Sequence, residues 1–478
     1  MTGDPSGFLK IKRDEAPHRH IEERVKDYKE VSVLRTEEHT KAQAQRCMDC
    51  GIPFCQSGCP VENIIPEWNN QTYKNKWDSA YELLNSTNSL PEITGRVCPA
   101  PCEAACVLGI NEDPVTIREN ELDIIEHAFK SGQVVPRPPK TRSGQKVAVV
   151  GSGPAGMACA DFLNRLGHTV TLFERDDKLG GIMRYGIPDF KLEKHVLDRK
   201  VEIWKKEGIV FKTNSDIREM PEGFDAVCLT GGSRQARNIP IPGRDLKGIH
   251  LAMDYLTQSN RRVAGESIPA DQAMFAKGKH VVVIGGGDTG SDCVGTANRQ
   301  SPLSVTQIEI MPKPPVGRST AFPWPKYPMM LRTSSSQEEA GVQRQWSVLT
   351  KGFAGENGTV KKLLCVKADA QLKEIPGTEF ELPAELVLLA LGFLHPEHDG
   401  LLTHLGLELD ARGNVKANSK YMTSREGVFA AGDMRRGQSL IVWALYEGRE
   451  AAKGIHEYLF AKVSATSGLA AKAAARTV

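Results

Sequence analysis

V-A-V-V-G-S-G-P-A-G, residues 147–156, decides how the rest of this 478-residue chain is read, because the same pattern returns as V-V-V-I-G-G-G-D-T-G at 281–290. Each is a run of four apolar, mostly β-branched residues, then a glycine-rich turn, then a stretch of helical character. That order of strand, turn and helix is the context in which G-x-G-x-x-G carries weight. The first glycine makes the tight bend, the second lets backbone approach a pyrophosphate, and the third lets helix and strand touch. Gly151, Gly153 and Gly156 would play those parts in the first turn, with Ser152, Pro154 and Ala155 between them. Gly285, Gly287 and Gly290 would do so in the second, with Gly286, Asp288 and Thr289. A single match often marks only a strand-helix turn. Two matches with full flanking context predict two dinucleotides on one polypeptide.

The two turns differ in the β-like runs beyond them. After the first, H-T-V-T-L-F-E ends on Glu174, about 20 residues beyond the glycines, where a carboxylate accepts ribose hydroxyls. This turn reads as an FAD site. After the second, S-V-T-Q-I-E-I-M-P continues into Lys313 and Arg318, with Glu309 placed before the strand end and expected to point sideways. Cations there accommodate a 2′-phosphate, so NADPH is expected over NADH. The plain alternative for Lys313 and Arg318 is a solvated loop.

Seven of the eleven cysteines precede residue 110: Cys47, Cys50, Cys55 and Cys59, the last followed by Pro60, then Cys98, Cys102 and Cys106. Disulfides, zinc and iron-sulfur are the three readings. The opening M-T-G-D-P-S-G-F-L-K-I-K-R-D-E has no apolar signal region, and a reducing compartment, the cytoplasm, is expected, which disfavours disulfides. C-x2-C keeps zinc open. The Cys-Pro ending is similar to ferredoxin runs, although the x4 spacing departs from theirs, and two redox dinucleotides downstream favour iron-sulfur. Two [4Fe-4S] clusters need eight ligands, so one must be something other than cysteine. Short loops favour Cys47, Cys50 and Cys55 on one cluster and Cys59 with Cys98 and Cys102 on the other. Cys159, Cys228, Cys293 and Cys365 read as buried core thiols.

A formal charge of +2 gives no case for nucleic acid or anionic membrane, and no apolar run is long enough for a spanning helix. Punctuation by proline and glycine divides the chain. Residues 1–140 form a mainly α-helical iron-sulfur domain and linker, with helical stretches such as W-D-S-A-Y-E-L-L, and S-G-Q-V-V-P-R-P-P-K-T-R-S-G-Q as the linker. Residues 146–238 begin an FAD domain, 239–390 form an inserted NADPH domain, and 391–478 return to the FAD domain. The fold class is therefore α/β: two Rossmann-like dinucleotide-binding domains preceded by a helical iron-sulfur domain. The tail from Ser464 is simple in composition and expected to fray.

The combination of G-F-L-K-I-K-R, both cysteine clusters, G-S-G-P-A-G, L-G-G-I-M-R-Y-G-I-P, G-G-G-D-T-G and A-A-G-D resembles the small (β) subunits of bacterial NADPH-dependent glutamate synthases over nearly the whole chain. The same architecture occurs in the N-terminal half of dihydropyrimidine dehydrogenase and in flavin subunits of ferredoxin-NADP oxidoreductases. The resemblance implies FAD, NADPH and two [4Fe-4S] clusters. It also implies a large (α) subunit, bearing FMN, that makes L-glutamate from L-glutamine and 2-oxoglutarate. Carried over by position, Cys106 completes the first cluster and Glu121 the second, although the Cys98 to Cys102 spacing is shorter than in the relative. Glu121 is otherwise a surface helix acid. Lys191 matches a basic residue near the flavin. Gly432 and Asp433 of A-A-G-D match a pair beside the ribitol and pyrophosphate, and Gly181, Gly232 and Ile441 join the FAD set. The cofactors carry the chemistry, so no catalytic side chain is expected.

Overall fold

The computed structural model describes residues 4–339 and 341–474. Two parallel five-stranded sheets carry the two turns. The first sheet joins β1 (Lys146–Val150), β2 (Thr169–Phe173), β3 (Val210–Lys212), β4 (Ala226–Leu229) and β13 (Val428–Ala430) in the order β13-β4-β1-β2-β3. The second joins β5 (Ile249–Leu251), β6 (His280–Ile284), β7 (Ser304–Glu309), β8 (Val342–Trp346) and β12 (Leu386–Leu389) in the order β5-β12-β6-β7-β8. The two sheets have the same plan. Each puts its glycine turn after a central strand, β1 or β6, with the second β-strand of the unit on one side and a later strand on the other. Ligands of open parallel sheets bind at that switch point, outside the carboxyl ends of the strands.

Burial explains the sequence pattern. Strands covered on both faces read as continuous apolar runs, and Val147, Ala148, Val149, Val281, Val282 and Val283 are all buried. The helix Pro154–Arg165 follows the first turn, and the C-terminal helix Ile441–Ala474 lies against it. Contact is close enough that a Cβ on Gly448 would stand 2.1 Å from the carbonyl oxygen of Ala155. The tail expected to fray continues this helix through Ala474, and its last four residues lie outside the described residues. A three-stranded antiparallel sheet, β9 (Val348–Glu356), β10 (Thr359–Lys367) and β11 (Phe380–Pro383), has no counterpart in the sequence reading.

The cysteine-bearing region is helical, with Glu37–Gln45, Ile65–Tyr73, Trp77–Thr87, Pro91–Val97 and Ile117–Lys130 as its main elements. Buried arginines brace it. Arg35 bonds Asp123 at 2.7 Å, Thr116 at 3.0 Å and Asn120 at 2.6 Å, so its charge is paired and its donors are used. Arg449 of the C-terminal helix reaches across to the carbonyls of Val61 and Thr87, each at 3.0 Å, tying this region to the first sheet. The N-terminal segment spreads further than its place in sequence suggests: Val31 donates to the Phe190 carbonyl, and buried Arg24 pairs with Glu339 at 3.3 Å.

Candidate functional site

One cleft of about 2110 Å3 runs between the sheets and on to the cysteine region. A pocket for one drug-sized ligand is roughly 300–1,000 Å3, so this cleft has room for more than one. Its wall includes Gly151, Ser152, Gly153, Pro154, Ala155, Glu174, Gly181, Lys191, Gly232, Asp433 and Ile441 from the FAD set. From the nicotinamide set it includes Gly285, Gly286, Gly287, Asp288 and Thr289. It also includes Cys98 and Pro99.

The two turns share their geometry. Gly151 and Gly285 have φ of 106° and 128°, which only glycine adopts without strain. A Cβ on Gly156 would meet the Gly151 carbonyl oxygen at 1.9 Å, and one on Gly290 would meet that of Gly285 at 2.2 Å. These four glycines are explained by the chain itself. Gly153 and Gly287 are not: their φ of −64° and −79° suits any residue, and a Cβ on either would have nothing within 4 Å. Each caps the N-terminus of a helix, where free amides and the helix dipole favour an anion. The residue type at both positions is accounted for by a phosphate group that must approach the backbone, and so the turns fit the pyrophosphates of FAD and a nicotinamide dinucleotide.

Around the first turn, Glu174 accepts from the Ser152 amide at 3.0 Å and also from the Ser152 hydroxyl, while that hydroxyl accepts from the Gly180 amide at 2.9 Å. Gly181 lies so close to the turn that a Cβ on it would stand 3.1 Å from the Gly153 Cα. Glu447 accepts from the Gly432 amide at 3.0 Å and from Arg435 at 2.7 Å, fixing the turn that delivers Asp433. Burial raises the Asp433 carboxyl to about 6 despite a hydrogen bond from Ser439. Lys191 is on the cleft wall, but its ammonium is paired with Asp292 at 2.5 Å, on the helix Asp288–Asn298 of the other sheet.

The second turn corrects the sequence reading. β7 ends on Glu309, and that carboxylate does not point sideways: it accepts from the Gly286 amide at 2.6 Å. Arg318 is committed elsewhere. Its guanidinium donates to the carbonyls of Phe322 at 3.1 Å, Lys326, and Ala104 at 2.8 Å, because the loop after β7 folds over the cysteine region. Lys313 stands 5.1 Å from the Trp346 ring centroid, and neither cation is on the cleft wall. The signal that would have placed Glu309 is the strand boundary, which the residue pattern alone does not fix.

The cysteines gather into two sets. Cys47, Cys50, Cys55 and Cys106 line one small cavity with Phe54, Ile65 and Ile117. Burial pushes the Cys47 thiol up to about 12, with Cys106 and Cys50 adding to it, and raises Cys55 further, again with Cys106 as the foremost neighbouring charge. Burial also lifts Cys59 and Cys98 to about 12 and Cys102 well above its ordinary value, with Glu121 adding to each and Cys59 adding to Cys98 and Cys102. Glu121 is not a surface acid. It is buried, raised to about 7 by that burial, and accepts from Asn88 at 2.9 Å, Asn63 at 3.4 Å and the Thr94 hydroxyl. Metal-bound carboxylates are held by such outer partners. Among the described residues no three His, Cys, Asp or Glu side chains converge as a single ion requires. Four thiols spread around a cavity suit a polynuclear cluster, in which each thiolate meets its own iron. All eleven cysteines are unpaired, and the remaining four, Cys159, Cys228, Cys293 and Cys365, are buried in helices and strands.

Fold and cleft together define an oxidoreductase with two dinucleotide-binding lobes and an iron-sulfur domain. Residues 24–133 match the family of the dihydropyrimidine dehydrogenase domain II, 4Fe-4S cluster, and residues 145–448 match the pyridine nucleotide-disulphide oxidoreductases. The glutamate synthase [NADPH] small chain of Mycobacterium tuberculosis is 50% identical over 95% of this chain and 96% of its own, and that of Bacillus subtilis is 46% identical over 96% and 98%. The glutamate synthase [NADH] of Schizosaccharomyces pombe is 44% identical over 94% of this chain but only 22% of its own. The chain belongs to the glutamate synthase small-chain family. Mycobacterium tuberculosis FprA in complex with NADPH shares the fold, at a TM-score of 0.52 and 16% identity over 69% of this chain and 86% of its own. Among the described residues no helix is long and apolar enough to cross a membrane.

Proposed function

We propose that this chain is the electron-input subunit of a glutamate synthase: in the cytoplasm it oxidises NADPH at the cleft and passes electrons through two [4Fe-4S] clusters to a large FMN-containing subunit, which makes L-glutamate from L-glutamine and 2-oxoglutarate. The observation that carries this reading is the continuity of one cleft wall from Gly153 and Gly287 to Cys98. When bound, FAD would supply a hydride acceptor able to release electrons singly, and the clusters would supply one-electron carriers.

The chain's own residues position these groups. Gly153 and the helix behind it receive the FAD pyrophosphate, Glu174 the ribose, and Asp433 with Ile441 the ribitol side. Gly287 and its helix receive the nicotinamide dinucleotide. The Lys191–Asp292 pair joins the two lobes on the cleft wall between them. Cys59, Cys98, Cys102 and Glu121 hold the cluster on the cleft side, and Cys47, Cys50, Cys55 and Cys106 hold the other.

The full chain loaded with FAD and iron-sulfur is expected to reduce ferricyanide with NADPH, yet to form no glutamate until the large subunit is added. Cys59→Ser should suppress glutamate formation by the assembled complex while reduction of FAD by NADPH stays near normal. A folded, FAD-containing variant that has lost its cluster and still sustains full glutamate formation would refute the route.

A further inference from the structure

We infer that Glu309 sets the coenzyme choice of the second turn by accepting the 2′-hydroxyl of the adenosine ribose, so that the chain takes NADH as well as NADPH. The inference rests on the reading that this turn holds a reduced nicotinamide dinucleotide.

The first turn provides the internal standard. There Glu174 takes the Ser152 amide on one oxygen at 3.0 Å and the Asp176 amide on the other at 2.9 Å. In the second turn Glu309 takes the Gly286 amide on one oxygen at 2.6 Å and the Met311 amide on the other at 3.1 Å. In both cases the donors are the residue after the first glycine and the residue two beyond the acid. The two carboxylates therefore hold equivalent positions, at the end of the second strand of each unit, where an acid receives ribose hydroxyls. Each Glu309 oxygen keeps a lone pair beyond its one bond.

The two sites differ in cover. The Ser152 hydroxyl bonds Glu174, which is buried. Gly286 has no side chain to set over Glu309, and a Cβ there would come within 2.7 Å of its carboxylate oxygen. Glu309 is half-buried on the cleft wall, open to a ligand. A carboxylate in that place bonds a free hydroxyl and repels a phosphate. The cations near this strand end lie over aromatic rings. Trp346 pairs with Glu309 across β7 and β8, and Lys313 and Arg344 stand 5.1 Å and 5.0 Å from its ring centroid. Arg332, on the cleft wall, is placed 4.2 Å over Tyr327. Arg318 is absent from this set because three backbone carbonyls occupy it.

The test is ferricyanide reduction by the full chain loaded with FAD and iron-sulfur, comparing NADH with NADPH in the wild type and in Glu309→Gln, which keeps a carbonyl for the Gly286 amide. Wild-type kcat/KM values for the two coenzymes are expected within about tenfold of each other, and the variant should raise the NADPH to NADH ratio about tenfold or more. A wild-type preference for NADPH above about 100-fold, or an unchanged ratio in a variant of normal FAD content, overturns the assignment. Should the variant not fold, inhibition of the wild type decides: 5′-AMP and 2′,5′-ADP inhibiting to similar degree supports it, and inhibition by 2′,5′-ADP alone overturns it. Oxidation of neither coenzyme would overturn both this assignment and the reading beneath it, whereas oxidation of NADPH alone overturns this assignment and leaves that reading standing.

Discussion

Trp324 donates its indole N–H to the carbonyl oxygen of Cys106 across 3.3 Å, and its ring packs on Phe54 with centroids 4.7 Å apart. A loop that belongs in sequence to the nicotinamide lobe thereby closes over one of the two cysteine sets. Tyr327 and Arg318 extend the contact, bonding the carbonyls of Pro99 and Ala104 at 3.3 Å and 2.8 Å. Solvent access and hydrogen bonding near the sulfurs tune such clusters.

Trp324→Ala is accordingly expected to expose the set built on Cys106. In air the variant should lose its absorbance near 400 nm severalfold faster than wild type, while FAD content and anaerobic reduction by NADPH hold. Equal rates of bleaching in the two proteins would show that the loop does not shield the cluster.

The glycines divide into two experimental classes. Gly153→Ala and Gly287→Ala add a methyl group where nothing lies within 4 Å, so each should lower the stability of the apoprotein by no more than the roughly 1 kcal/mol that alanine costs at a helix N-cap. Each should nevertheless lose its own ligand: FAD for Gly153, the nicotinamide coenzyme for Gly287. Gly156→Ala forces a Cβ to 1.9 Å from the Gly151 carbonyl, so it should destabilise the lobe itself. Retention of FAD by Gly153→Ala at wild-type affinity would mean that no phosphate approaches there.

What is legible in the sequence has local causes. Strand, turn and helix around Gly151 and Gly285 are fixed within about ten residues by burial and by glycine geometry, so both turns lie where the pattern puts them. The core cysteines are legible for the same reason, since Cys228 and Cys365 sit inside strand-like apolar runs and Cys159 and Cys293 on the helices after the turns. Arg318 is misplaced by sequence because one of its partners, the Ala104 carbonyl, lies 214 residues away in sequence and is brought to it only by the fold. Glu309 is misread because one residue at a strand end decides whether a side chain meets Gly286. Burial of Glu121 is likewise invisible: its donors come from Asn63, Asn88 and Thr94 on separate segments.

A final prediction concerns acid stability. His168 and His456 face each other with ring nitrogens 3.0 Å apart, and the Ser143 hydroxyl lies 2.9 Å from the other nitrogen of His168. Burial lowers His168 from its ordinary 6.5 to about 4, with the neighbouring His456 adding to the shift and Asp225 opposing it. The unfolded chain therefore binds a proton at this residue more readily than the folded one. Stability from this group is intact above pH 6.5 and is lost as pH falls towards about 4. His168→Gln removes the proton uptake, so its melting temperature should fall less than that of wild type between those two pH values. His456→Gln keeps a hydrogen-bonding partner but removes the like charge, so its curve should lie between the other two. Differential scanning calorimetry at constant ionic strength reads all three. Parallel curves for wild type and His168→Gln would mean that His168 titrates alike in the folded and unfolded chain.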